Sequence, residues 1–319
     1  MEKRERAQRI LDELSVHQIN PMNDVLFKFI FGKVERKNIT IDFLNAVLEP
    51  SLKHKIKNII FLPTEQIPQN DADKLSRLDV ACELDTGEFV DVEVQIVNYE
   101  NMERRTLYYW AQMYLMRLPS GADYQDLRPA ITINIVAFNL LPQANPHAMY
   151  GVYNIETQER LNDDMALHFL EIPKFVKAVK KPIREMTKME RWMAYFANRM
   201  NKQEKEELAM SEAAISKAYD ATGVFFQNKE DRMNYVNREM ALMDYRSGIM
   251  SAEERGEKRG EKRGEKRGEK RGVEKGRKQE AEQYSHLLRL LLAQKRMDDI
   301  ARIAEDEAYR QELYREFKL

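Results

Sequence analysis

Cysteine is almost absent: Cys82 is the single one in 319 residues. Intrachain disulfides and cysteine-built zinc sites are thereby excluded. A thiol nucleophile is the remaining question, and its neighbours answer it. Cys82 falls on the apolar side of an alternating run, where a small sulfur side chain reads as core. Long hydrophobic runs are also missing, since none approaches the ~18 apolar residues of a spanning helix. The opening MEKRERAQRILDELSV holds no apolar segment of the kind that directs export. The expectation is a cytoplasmic protein with no membrane partner. Net charge is lacking too. Lys and Arg number 52 against 53 Asp and Glu, a formal charge of −1, so bulk charge announces no polyanion ligand and must be read locally.

What is present centres on RLDVACELDTGEFVDVEVQ, residues 77–95. It reads as a β-hairpin turning at Asp85-Thr86-Gly87-Glu88, with Gly87 free to take a positive φ. Side chains alternate across a strand. Leu78, Val80, Cys82 and Leu84 share one face with Val90, Val92, Val94 and Ile96. Asp79, Ala81 and Glu83 share the other with Asp91, Glu93 and Gln95. An antiparallel pair with one solvated face looks much the same, so alternation leaves both readings open.

Around the hairpin the periodicities describe an α/β chain. Residues 1–19 read as helix, broken at Asn20-Pro21. Asn23 is a suitable N-cap and Gly32 a stop for a helix burying Val25, Leu26, Phe29 and Ile30. On that helix Asp24 and Lys28 stand i, i+4, the spacing of a surface ion pair. Helix follows over 38–48, strand over 56–62, and an irregular polar stretch over 64–74. After the hairpin comes a strong helix at 100–118, ended by Pro119-Ser120-Gly121. It aligns Arg105, Tyr108, Tyr109 and Gln112 on one face. Strands are expected at 129–141, 149–156 and 165–172, with Pro173 closing the last. From Lys188 the chain reads as helix, at 190–200, 202–221 and 229–243, with Met189, Met193, Met200, Met210, Met233, Met240 and Met243 as core fillers. Helices mixed with a hairpin and further strands make a mixed sheet.

Gly-Glu-Lys-Arg then repeats four times in tandem over 256–271. Residues 251–280 hold 12 basic and 8 acidic residues, an excess of four. A four-residue period drifts ~40° per repeat around a helix, so no stripe persists. Each glycine costs a helix ~1 kcal/mol relative to alanine. Either a solvated helix or an extended linker fits. Residues 279–295 and 297–317 are helical again. Leu287, Leu288, Leu290, Leu291 and Leu292 exceed what two short helices bury on each other, which suggests dimerisation or docking.

Read in order, Asn23-Asp24-Val-Leu-Phe27-Lys28-x-Ile-Phe31-Gly32, Lys74-x-Ser76-Arg77-Leu78-Asp79-Val80, Gly87-Glu-x-Val-x-Val-Glu93-Val-Gln95 and Arg105-x-Leu-Tyr108-Tyr109-Trp110 form an ordered set. It continues through Gly121-Ala-x-Tyr124-x-x-Leu-x-Pro129 and His168-Phe-Leu-Glu171-Ile-Pro-Lys174. The set resembles the Rpn family, recombination-promoting nucleases also called PD-(D/E)XK nuclease family transposases, over roughly 20–175. The resemblance implies a restriction-endonuclease-like core with a mixed sheet flanked by helices, plus a helical C-terminal region. The implied organisation is a nuclease-like domain at 1–250 with a trailing helical layer at 187–250, a charged linker at 251–278 and a helical module at 279–319. It puts Asp79 at the motif's first acid, Glu93 at the second, and Gln95 where the motif has lysine, as in many members. Asp24 matches an acid placed beside the metal, and the Val94 carbonyl is a third ligand by analogy.

Phosphodiester hydrolysis needs an activated water and a sink for developing charge, which Mg²⁺ provides with only one or two carboxylates. Asp79, Glu93, Asp24 and Val94 are the expected metal ligands. Gln95 hydrogen-bonds but carries no charge, so Lys28 or Arg105 is expected to supply the cation. Glu83 and Asp91 share the face without a matching role and read as solvated. The functional expectation is a Mg²⁺-dependent DNA endonuclease in recombination or transposon-like mobility, homo-oligomeric through its C-terminal helices. The alternative is a non-catalytic nucleic-acid-binding or regulatory protein on a nuclease-like core. Survival of Asp79, Glu93 and Gln95 together favours the enzyme. Nothing resembles an RRM or KH signature for RNA.

Overall fold

The computed structural model describes residues 19–63, 65–66, 76–115 and 123–319. The helix expected over 1–19, most of the stretch 64–74 and the stop at 119–121 lie outside the described residues. The chain divides into two compact units, Met1–Arg246 and Ser247–Leu319.

In the first unit α1 spans Asp24–Phe31 and α2 Lys37–Leu48. The Asn23 side chain accepts the Val25 and Leu26 amides and so caps α1. Strand β1 is Ile59–Phe61. Glu65–Gln66 (β2) pairs with Ser76–Arg77 (β3) as a separate ribbon. The hairpin is β4, Val80–Leu84, and β5, Phe89–Gln95, turning at Gly87 with φ 98°. Helix α3 is Met102–Leu115, followed by β6, Ala130–Val136, β7, His147–Tyr150, and β8, Met165–Glu171. Four helices follow: α4, Ile172–Ala178; α5, Lys188–Ala197; α6, Lys202–Ser211; and α7, Ala213–Gln227. The next helix, α8, runs Lys229–Ala293.

The main sheet has the order β1-β4-β5-β6-β8-β7. Strands β5, β6 and β8 are parallel, and the remaining pairings are antiparallel. Every residue of β6 is buried, as expected of a strand covered on both faces. One face packs Val80, Cys82, Leu84, Val90, Val92 and Val94 into the large core with α1, α2, α5 and α7. Phe31, Phe43, Trp192 and Phe196 form its aromatic centre. The other face carries a smaller cluster of Leu78, Ala81, Met113 and Ala130 beneath α3. Leu78 therefore leaves the stripe in which alternation placed it, because the chain bends at Asp79 before β4 begins.

Several boundaries depart from expectation. The strand expected over 149–156 stops at Tyr150, because the Asn154 side chain accepts the Glu156 and Thr157 amides and starts a turn. Pro173 does not end β8; it sits in the first turn of α4, where its missing N–H costs nothing. The helix expected over 202–221 breaks at Glu212, which is extended and whose carboxylate is held by Arg191 at 2.7 Å. Met193 and Met240 are core residues, whereas Met210 and Met243 are exposed.

In the second unit the Gly-Glu-Lys-Arg repeats are helical and every residue of the tract is exposed. Glu254 and Lys258 pair at 2.6 Å. The end of α8 meets α9, Met297–Glu305, and α10, Glu307–Glu316. Leu287, Leu291, Ile303, Leu313 and Tyr314 form their shared core. Three helical segments, not two, thus bury Leu287 and Leu291 within the chain, while Leu292 stays exposed.

Candidate active site

The hairpin register sets Val80 opposite Val92 and Ala81 opposite Asp91, so Asp79 stands beside Glu93. The two acids are tied through their strands. The Asp79 amide donates to Glu93 Oε1 at 3.0 Å, and the Val94 amide donates to Asp79 Oδ2 at 3.0 Å. Each acid also holds a cation brought by a helix. Lys28 of α1 reaches Asp79 Oδ1 at 2.9 Å, and Arg105 of α3 reaches Glu93 Oε2 at 3.0 Å. The same Arg105 Nη2 donates to Gln95 Oε1 at 2.9 Å, while Gln95 Nε2 donates to the Val97 carbonyl at 2.9 Å. Both ends of the Gln95 amide are therefore engaged, one of them in aiming Arg105. The guanidinium also lies over the Tyr109 ring, 5.6 Å from its centroid.

Lys28, Asp79, Glu93, Gln95 and Arg105 are thus one connected cluster. Asp24 lines the same cleft of about 420 Å³ as Lys28 and Asp79, but its carboxylate pairs with Arg238 of α8 at 2.9 Å. The expected Asp24–Lys28 surface pair is replaced by two tertiary pairs. Cys82 is fully buried in the large core, and burial pushes its thiol up, Asp91 adding to the effect; it is not a nucleophile.

Asp91 is not solvated. It is fully buried, and among the described residues neither carboxylate oxygen has a hydrogen-bond partner. Thr132 Oγ1, its neighbour on β6, is likewise buried and unpartnered. Burial, then the Glu93 and Asp79 charges, hold the Asp91 carboxyl well above the usual carboxylate range. Glu93 is pushed up to about 8, first by burial and then by Asp79, against the pull of Arg105 and Lys28. Tyr109 is raised by burial and by Glu93. Alternation gave no sign that Asp91 is covered. The helical spacing pointed to Tyr109 together with Tyr108 and Gln112; those two bond to each other away from the acid pair, Gln112 Nε2 donating to the exposed Tyr108 hydroxyl at 2.9 Å.

Among the described residues no group of three or more His, Cys, Asp or Glu side chains is spaced to hold an ion. What the chain offers is a pair of carboxylates on adjacent strands. That donor set fits a hard cation which keeps most of its waters, and crowding of Asp79 against a buried Glu93 favours a counter-charge. Both acids retain lone pairs beyond those used by Lys28, Arg105 and the two amides.

A family model described as PD-(D/E)XK nuclease family transposase matches residues 21–252. No curated protein and no solved structure matches the chain.

Proposed function

The chain belongs to the PD-(D/E)XK nuclease family transposases, and from that premise we propose that it is a metal-dependent DNA endonuclease. The observation that carries this reading is the interlocked pair Asp79 and Glu93, each hydrogen-bonded to the other's strand and flanked by Lys28 and Arg105. Asp79 and Glu93 would hold Mg²⁺ or another divalent cation, with the Val94 carbonyl and Asp24 as further ligands, directly or through water. When bound, such an ion supplies charge stabilisation at phosphorus and a more acidic water.

The chain's own groups do the rest. Arg105 takes the place of the motif lysine's charge, held at the acid pair by Gln95. Lys28 neutralises Asp79 and borders the open cleft, where it meets a substrate phosphate. Gln95 acts as an anchor for Arg105 and does not itself carry charge. DNA is the substrate in this reading, recombination or transposon-like mobility the setting, and self-association through the C-terminal helices part of the assembly.

Supercoiled plasmid incubated with and without Mg²⁺, Mn²⁺ or Ca²⁺ tests the proposal. Nicking by the wild type with Mg²⁺ or Mn²⁺, and its loss in Asp79→Ala and Glu93→Ala, is expected. Equal nicking by all three proteins would end the nuclease reading.

A further inference from the structure

The charges along the cleft are paired in a specific order. Asp24 and Lys28 lie one turn apart on α1, where an acid four residues before a base ordinarily pairs within its own helix. They do not pair with each other. Asp24 Oδ1 takes Arg238 Nε at 2.9 Å, and Lys28 Nζ takes Asp79 Oδ1 at 2.9 Å. Asp231 lines the same cleft as Asp24 and Asp79, so three acids border the space that Lys28 enters.

Arg238 reaches Asp24 because the first turns of α8 are locked onto the start of α1. The Asn20 amide donates to the Tyr235 hydroxyl at 2.8 Å. Asn23 Nδ2 donates to Glu239 Oε1 at 2.8 Å and to the Tyr235 carbonyl at 3.4 Å. Asn23, Tyr235, Val236 and Met240 are buried, so this part of α8 is a fixed wall of the core. Asn23 also caps α1, the helix that carries Lys28. Arg238 is thus held in place by packing that does not depend on its own ion pair.

We propose that Arg238 is a positioning residue that acts through Asp24. By occupying the Asp24 carboxylate it leaves Lys28 to Asp79, and so governs the charge at the acid pair from a helix outside the sheet. Removing Arg238 frees Asp24 to draw Lys28 back along α1. The kinetic part of the inference rests on the nuclease reading.

Arg238→Ala, Asp24→Asn, their double variant and Arg238→Lys are compared for kcat and KM in plasmid nicking. Arg238→Ala is expected to lower kcat roughly tenfold with KM little changed, and Arg238→Lys to recover most of the loss. Asp24→Asn lowers the rate by itself if Asp24 also faces the ion; measured against the rate that Asp24→Asn retains, Arg238→Ala has no further effect, because no acid at 24 competes for Lys28. An equal loss in both backgrounds, or no loss in either, overturns the assignment. A second measurement does not need cutting. Melting temperatures of Lys28→Met, Asp79→Asn and their double variant give the coupling of that pair, with Arg238 present and with Ala at 238. Coupling that disappears with Ala at 238 supports the proposal, and coupling that persists refutes it. A wild type that nicks nothing counts against the nuclease reading alone, and the melting cycle then decides the role of Arg238.

Discussion

Gln95 is an amide without charge, and the charged group at its side is Arg105. One guanidinium nitrogen bridges Glu93 and Gln95, a contact that neither residue's place in the hairpin announces. Truncating Arg105 leaves Glu93 buried without its cation, and a buried carboxylate that loses its partner is costly. Arg105→Ala is therefore expected to lower nicking about 100-fold, the scale of losing one preorganised donor, and to reduce stability by about 1–3 kcal/mol. Arg105→Lys keeps the charge but not the fork that spans two acceptors, and is expected to fall between. Plasmid nicking with urea denaturation of each variant checks both effects. Nicking by Arg105→Ala at the wild-type rate would move the role to Lys28.

Among the elements, β8 shows that part of the family motif serves the fold. His168 is buried between Ser51, just past α2, and His147 of β7, at 3.0 Å from each. The Ser51 hydroxyl donates to the Leu48 carbonyl, so it accepts from His168 Nε2–H, and His168 Nδ1 accepts from His147. Glu171 and Lys174, bonded to each other, fasten the loop after β6 through the Leu140 and Leu141 backbone. Burial lowers His168 to about 3, with His147 and Arg160 adding to the shift. Below its ordinary value near 6.5 the unfolded chain binds a proton that the folded chain refuses. The contribution of His168 to stability is therefore complete above pH 6.5 and is lost as pH drops toward 3, by a few kcal/mol at most, at about 1.4 kcal/mol per pH unit. The raised Glu93 and Asp91 carboxyls act with the opposite sign over the same window, so the contribution of His168 is read as a difference: from pH 7.5 to 5 the wild-type urea midpoint is expected to drop relative to that of His168→Gln. An identical slope in that variant would place the proton elsewhere.

For the whole molecule, the acid pair, its two cations and Arg238 all belong to the unit Met1–Arg246. The unit Ser247–Leu319 has a hydrophobic core of its own. A chain ending before Gly256 keeps every residue of the proposed site. It is expected to nick at the rate of the full chain and to lose self-association, read by light scattering coupled to size-exclusion chromatography. Loss of nicking by this well-folded fragment would show that the second unit is needed for cutting.

The hairpin, its turn at Gly87, the apolar stripe and the ordered acids were legible in the chain, because strand alternation and turn chemistry are local. So was the family, whose motifs are carried in order along one stretch. The repeat tract stayed ambiguous, since glycine and helix-forming charges pull a helix in opposite directions, and the structure resolves it as helix. Other features depended on which surfaces meet. Asp91 and Glu83 sit at equivalent alternating positions, yet Asp91 ends fully buried. Leu78 changes sides at a single bend. Lys28 is one turn from Asp24 but pairs with Asp79, because Arg238, more than 200 residues later, already holds Asp24. Local patterning selects each element and the face it presents, whereas a charge's partner is settled only when distant elements close around it.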